Sequence, residues 1–427
     1  MNPRAQALAG WLLLLAVIGI GLHTLLPDVP RLWAALACWG AGILLWPSLK
    51  SQAQKQSIVL LLIGSGGIAW GLAHQVGPNL HIATSANAML LAMLASVSFL
   101  RLITRPASDD QHKLAQGRRA LWHSLFAVHF FGSVINLSSV FIVGDHLSRK
   151  NPLSDAQVRV LTRAFASAAY WSPFFAAMAA ALTYSPGASL PVLWIGGIPL
   201  ALLSLAITAL ACRQPQQFVG YPMHLGALWL PITLAVSVLL LHQAMPDVPV
   251  LGIICLLAPL ITVLTLWLRR EAPLQKLRDH VRQDMPGMKN ELVLFLAAGV
   301  MASGLNSVFQ TFGGWLPFDQ FGALEAVMVL WFMLITSLIG VHPVINIATI
   351  GTLLAPLHPD ASLLAMTFLC GWAIGVVNSP YSGMSLAMQG RYNIPPLGLT
   401  RLNGAFSLIM ALGASLMLAA LDTLVLN

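Results

Sequence analysis

This sequence predicts an all-α polytopic membrane protein: about eleven transmembrane helices plus two re-entrant hairpins, arranged as two inverted repeats. Three observations carry that expectation. Of 427 residues only 8% are charged while 57% are hydrophobic. The apolar runs are roughly 20 residues long and do not alternate. The basic residues sit in short loops between those runs. A soluble domain carries about 25% charged residues, so lipid must cover most of this surface. Backbone groups facing lipid have to be bonded within the chain, which leaves helices or closed barrels. Non-alternating runs of this length select helices.

The formal net charge of +8 does not indicate a nucleic-acid partner, because no basic face is interleaved with aromatics. Cys38, Cys212, Cys255 and Cys370 are scattered singly in or beside apolar runs and read as small hydrophobes. The run Leu8–Leu26 is long for a signal peptide and no clear small-residue cleavage site follows before Pro27, so it is expected to remain as a first helix.

Apolar segments fall at 8–26, 31–47, 57–76, 86–103, 121–147, 164–184, 189–211, 224–244, 248–268, 291–312, 323–356, 361–388 and 397–424. If each crossed the membrane, the basic loops 148–163 and 269–290 would lie outside and no charge bias would remain. If 121–147 and 323–356 instead enter and leave on one side, every basic residue except Arg31 falls inside. That places the N-terminus inside and the C-terminus outside. The 323–356 segment is also too long for one straight crossing and carries Gly340, His342, Pro343 and Asn346 midway. Non-helical backbone at such depth must be buried in protein or line a watery cavity.

The two hairpins share sequence. Val134-Ile135-Asn136-Leu137-Ser138-Ser139 matches Val344-Ile345-Asn346-Ile347-Ala348-Thr349, and Trp171-Ser172-Pro173-Phe174 matches Asn378-Ser379-Pro380-Tyr381. Matching units of opposite orientation mark inverted-topology transporters, whose sites lie near the midplane. The expected organisation is an extra helix in 1–30 and a first repeat over 31–212, with hairpin 121–147 and broken helix 164–184. A second repeat covers 213–427, with hairpin 323–356 and broken helix 361–388.

Pro173 and Pro380 each remove a backbone donor and clash with the preceding turn, so each helix should break there. Broken helices expose N–H groups that attract anions and carbonyls that bind cations. With hairpin tips at Asn136 and Asn346, the candidate substrate-binding set is Asn136, Ser138, Trp171, His342, Asn346 and Asn378. The candidate cation ligands are Ser139, Ser172, Thr349 and Ser379, with Asn136 and Asn346. These neutral oxygens suit Na⁺ as the coupling ion, and no other cofactor is expected. The alternative is that the prolines only kink their helices and the polar residues cap turns. His342 is either a substrate donor or proton carrier, or a histidine packed on polar backbone. His129 reads as structural, Asp145-His146 as interfacial, and Glu325 as facing water. Ser382-Gly383-Met384-Ser385 has no His/Asp partner that the sequence places nearby, and there is no phosphate-binding G-x-x-x-x-G-K-[ST] loop. An enzyme is not expected.

The whole pattern resembles the ion transporter superfamily, especially the divalent anion/sodium symporter (DASS) family. That family is similar in having eleven spans, two re-entrant hairpins and broken fifth and tenth spans. Its hairpin tips carry Ser-Asn-Thr; here they read Ile135-Asn136-Leu137 and Ile345-Asn346-Ile347, with hydroxyls later at Ser138, Ser139 and Thr349. The resemblance implies sodium and substrate roles for Asn136 and Asn346, a homodimer, and an elevator motion. The leading expectation is cation-coupled symport of a small anion across a bacterial-type inner membrane, with lipid and substrate as partners. A Na⁺/H⁺ antiporter, the membrane subunit of a binding-protein-dependent transporter, and a membrane-embedded enzyme or lipid-handling protein are the alternatives.

Overall fold

Helices make up nearly all of the fold. The computed structural model describes residues 2–104, 115–149, 151–222, 229–312 and 318–426. Arg105, Lys113 and Lys150, three of the basic residues read as inside, lie outside the described residues, as does the start of the 224–244 segment. The chain begins with α1 (Pro3–Leu25), α2 (Leu32–Leu45), α3 (Ser51–Ala73), α4 (Leu80–Ser85) and α5 (Ala88–Ser98). It continues through α6 (Arg118–Ile135), α7 (Ser138–Leu147), α8 (Asp155–Ser167), α9 (Ala176–Tyr184) and α10 (Leu190–Leu210). Then come α11 (Trp229–Ala244), α12 (Val250–Leu268), α13 (Pro273–Asp279) and α14 (Lys289–Thr311). The last are α15 (Ala323–Leu338), α16 (Pro343–Leu354), α17 (Ala361–Asn378), α18 (Gly383–Tyr392) and α19 (Pro396–Leu421). Among the described residues the strands are two short pieces, Ala115–Gln116 and Val219–Gly220, paired antiparallel.

Among the described residues eight helical stretches are long and apolar enough to cross a membrane, and Leu32–Ser48, Trp229–Ala244, Ala323–Leu338 and Pro343–Leu357 are shorter apolar helices. The protein is therefore an all-α polytopic membrane protein. All four cysteines are free thiols.

The chain folds as two compact units, each assembled from several stretches of sequence. The first takes Met1–Thr104, Val236–Pro317 and Ala348–Pro356, and the second takes Arg105–Ala235, Phe318–Ile347 and Leu357–Asn427. Each unit draws on both halves of the sequence, so compactness and the expected repeat divide the chain differently.

In the first unit, α3 and α14 approach until backbone meets backbone. A Cβ added to Gly64 would lie 2.6 Å from the Val300 carbonyl, one at Gly67 2.5 Å from the Gly304 oxygen, and one at Gly304 2.2 Å from the Gly64 oxygen. Gly71 meets the Ser307 side chain in the same way. Lipid gives helices no hydrophobic reason to associate, so such close small-residue seams supply the packing instead.

The second unit is built around α17, whose residues Ser362–Val377 are all buried. A helix apolar all round belongs in a core, and α15, α19, α9, α8 and α10 surround this one. The predicted hairpins are α6–α7 and α15–α16. The first turns at Asn136, in positive-φ backbone (φ +51°) that asparagine tolerates better than most residues. The second does not turn at Asn346, the tip expected from the sequence match. Its turn falls at Ile339–His342, with Gly340 at φ +103°, and Asn346 lies inside α16. The cause is Pro343, which occupies the first position of α16, where its missing N–H costs nothing. Both predicted breaks are present. A 3₁₀ turn, Ala168–Tyr170, ends α8 before Trp171–Phe175, and Ser379–Ser382 separate α17 from α18.

We predict that Gly304→Leu, which forces α3 and α14 apart, abolishes recovery of monodisperse protein on size exclusion. Gly66→Leu, beside the seam with nothing within 4 Å of a new Cβ, behaves as wild type in the same assay.

Candidate functional site: two interrupted helices and their hairpins

At the first break Pro173 cannot donate, and the freed backbone is taken up by side chains. The Ser172 hydroxyl donates to the Ser133 carbonyl on α6 (2.5 Å) and accepts the Phe174 N–H (3.2 Å). The Asn136 amide N–H donates to the Phe174 carbonyl (3.3 Å), and the Ser139 hydroxyl reaches back to the Asn136 carbonyl (2.9 Å). The hairpin turn is thus bonded directly to the break.

Trp171 is held by two bonds. Its indole N–H donates to His129 Nε2 (3.1 Å), and the Trp194 indole donates to its carbonyl (2.9 Å). An indole nitrogen can only donate, so His129 Nε2 is unprotonated. The Ser167 hydroxyl donates to the Ala164 carbonyl (2.8 Å), so His129 Nδ1 carries the proton and donates to Ser167 Oγ (2.7 Å). Both ring nitrogens of this buried histidine are spent on structure.

The second break repeats the local design. Ser379 Oγ accepts the Tyr381 N–H (3.2 Å), as Ser172 does with Phe174 in the matched Ser-Pro-aromatic run. Carbonyls freed at the end of α17 are again capped by hydroxyls: Ser382 donates to Val376 (2.8 Å), Ser385 to Ser379 (2.8 Å) and Thr400 to Asn378 (2.9 Å). Ser382 also caps α18 by accepting the Ser385 N–H (3.1 Å), so the Ser382–Ser385 run is a helix start. The second hairpin turn packs on this break, since a Cβ at Gly340 would stand 3.0 Å from the Tyr381 ring.

Asn346 is buried in α16, and its amide N–H groups go to Thr336 Oγ1 (2.8 Å) and toward the Met333 carbonyl (3.5 Å). His342 Nδ1 accepts the Val344 N–H (3.2 Å), so the neutral ring carries its proton on Nε2. The ring meets Trp372 edge-on, at 5.6 Å between centroids.

Both asparagines therefore share one feature. A carbonyl acceptor fixes each amide with its nitrogen inward, and each Oδ1 has no partner among the described residues. The Ser138 hydroxyl, the Asn378 side-chain amide and His342 Nε2 are likewise without partners among the described residues.

Asn136, Ser138, Ser139, Trp171 and Ser172 gather at the first hairpin and break, and His342, Asn346, Asn378 and Ser379 lie along the second hairpin and broken helix. All nine belong to the second compact unit. Thr349 does not. It belongs to the first unit, where its hydroxyl faces the Met301 sulfur (3.9 Å) and lines an apolar cavity of about 400 Å³ with Leu305 and Phe309. Of the residues that hold the breaks together, His129 is the structural histidine its sequence position suggests, whereas Ser133, Thr336, Ser382, Ser385 and Thr400 carry no local signal of that task. Asp145 accepts from Arg391 Nε (2.7 Å) and the Tyr392 hydroxyl (3.0 Å), tying α7 to the end of α18.

Neither a known protein family nor any curated protein matches this sequence. Among solved structures, the YdaH transporter of Alcanivorax borkumensis, described as having an unusual topology, superposes with a TM-score of 0.48 at 14% identity. The superposition covers 94% of this chain and 98% of that one.

Ser172→Ala orphans the Ser133 carbonyl and the Phe174 N–H together, a loss of about 1–3 kcal/mol per buried group. We expect a clear fall in melting temperature in detergent, whereas Ser138→Ala, whose hydroxyl bonds nothing among the described residues, leaves it unchanged.

Proposed function

We propose that this protein is a secondary active transporter that couples Na⁺ to the symport of a small anion. The observation that carries this reading is the pair of asparagines, each with its amide nitrogen tied inward and its Oδ1 left as an acceptor. A carbonyl-type oxygen with no donor to meet is a ligand for a hard cation. Around Asn136, the Ser172 and Ser139 oxygens can complete the set, because their protons are already given to carbonyls. Around Asn346, Ser379 is the hydroxyl on the neighbouring break. The substrate side is donor-rich: His342 Nε2–H and the Asn378 amide have no partner, and Trp171 forms a rigid wall beside the first break. Donors without acceptors favour an anion.

Both hairpins' turns and both broken helices fall in one compact unit. A single body that carries the whole site is what elevator-type alternating access requires, and on this reading the protein works as a homodimer in the inner membrane. The basic loops orient it with the N-terminus inside. A proton antiporter reading is less well supported, since the polar groups around the two breaks are amides, hydroxyls and one open imidazole rather than carboxylates. An enzyme reading is weakened by His129, whose serine partner gives its own proton to a backbone carbonyl.

The test is uptake into proteoliposomes from a panel of radiolabelled mono- and dicarboxylates. We expect uptake that requires a Na⁺ gradient and, at saturating Na⁺, varies only weakly between pH 6 and pH 8, across the ordinary histidine range near 6.5. Asn136→Ala and Asn346→Ala each remove transport while the protein stays monodisperse. Uptake driven by a pH gradient without Na⁺, and lost in His342→Gln, would refute sodium coupling.

A further inference from the structure

Arg163, on α8 in the second unit, is a buried cation whose position is explained by neither break. It is 4% exposed. Its Nε donates to Asn403 Oδ1 on α19 (2.8 Å), its Nη2 donates to the Leu402 carbonyl (3.0 Å), and its flat face lies on the Phe406 ring (4.4 Å to the centroid). No carboxylate among the described residues bonds to it, and the charged side chain acting on it is a second cation, Arg159. Burying an unpaired charge is costly, so a counter-charge is expected.

The groups beside Arg163 are also donors in want of an acceptor. Asn403 is 0% exposed and its Nδ2 has no hydrogen-bond partner. Turning the amide over cannot help, because a guanidinium nitrogen only donates and must meet Oδ1. Ser407, 4% exposed, has an equally unpartnered hydroxyl. It stands one helical turn beyond Asn403, with about 5–6 Å between Cβ atoms at that spacing. The Arg163 guanidinium, the Asn403 NH₂ and, one helical turn on, the Ser407 hydroxyl thus supply buried donors and positive charge where α8 meets α19.

We infer that α8 and α19 hold a monatomic anion of the halide class here, bound by Arg163, Asn403 and Ser407. Its size follows from burial: side chains so fully covered admit neither a lipid headgroup nor an organic carboxylate. A bound halide would neutralise Arg163, satisfy both orphaned donors and fasten α8, the helix before the first break, to α19. The inference is independent of the transport reading, and constant Na⁺ keeps the two apart in the test.

The experiment is thermal unfolding of the purified protein in detergent while chloride replaces gluconate at fixed Na⁺ and ionic strength, with ³⁶Cl⁻ equilibrium binding in parallel. We expect a saturable rise in melting temperature with chloride and bromide, and one ³⁶Cl⁻ per chain. Asn403→Asp places a carboxylate beside the guanidinium, so it should fold in gluconate and lose both halide response and ³⁶Cl⁻ binding. Ser407→Ala, which removes one donor, should raise the chloride midpoint several-fold even if Asn403→Asp does not fold. A wild-type protein indifferent to halide would overturn the inference and leave water as the partner of these donors. So would a Ser407→Ala midpoint equal to wild type, or full halide binding by Asn403→Asp.

Discussion

A helix interrupted inside a bilayer frees N–H and C=O groups that lipid cannot bond, and each group left bare costs several kcal/mol. This protein meets that constraint twice, at Trp171–Phe175 and Ser379–Ser382, chiefly with serine and threonine hydroxyls. Ser172 and Ser379 each fold back to accept the N–H two residues on, across the proline that caused the break. Once the backbone is satisfied in this way, the break becomes a fixed structure rather than a flexible kink. The side chains around it can then be held in set orientations, which binding requires.

The same constraint orients the asparagines. Asn136 donates to Phe174, inside the first break, and Asn346 donates to α15, across the second hairpin. In each case the nitrogen does the structural task and the oxygen has no partner among the described residues. Trp171 is fixed by the same logic at one remove, through a histidine whose tautomer is set by an indole on one side and a serine on the other.

How much of this was readable beforehand depended on range. The breaks were legible because proline acts on its own backbone, and the two hairpins because basic residues flank 121–147 on both sides and Gly340, Pro343 interrupt 323–356. The second tip was misplaced at Asn346 because aligning the matched runs carried the first turn's position across. Pro343, which has no counterpart in the first hairpin, where Ser133 aligns, starts α16 and sets the turn ahead of it. The bonds from Ser172 to Ser133 and from Trp171 to His129 join residues 39 and 42 positions apart, and no local pattern announces them. Thr349 aligned well with Ser139, yet α16 carries it into the other compact unit. Sequence similarity marked the equivalent residues but could not say which body each would join.

The central claim is that the open Oδ1 atoms of Asn136 and Asn346 coordinate sodium, and direct ²²Na⁺ equilibrium binding to purified protein tests it without knowledge of the substrate. We expect saturable binding displaced by Li⁺ more readily than by K⁺, and greatly weakened in Asn136→Leu and Asn346→Leu, which keep the branched shape but remove the amide. Absence of saturable ²²Na⁺ binding to the wild-type protein, or binding unchanged in both leucine variants, would contradict it.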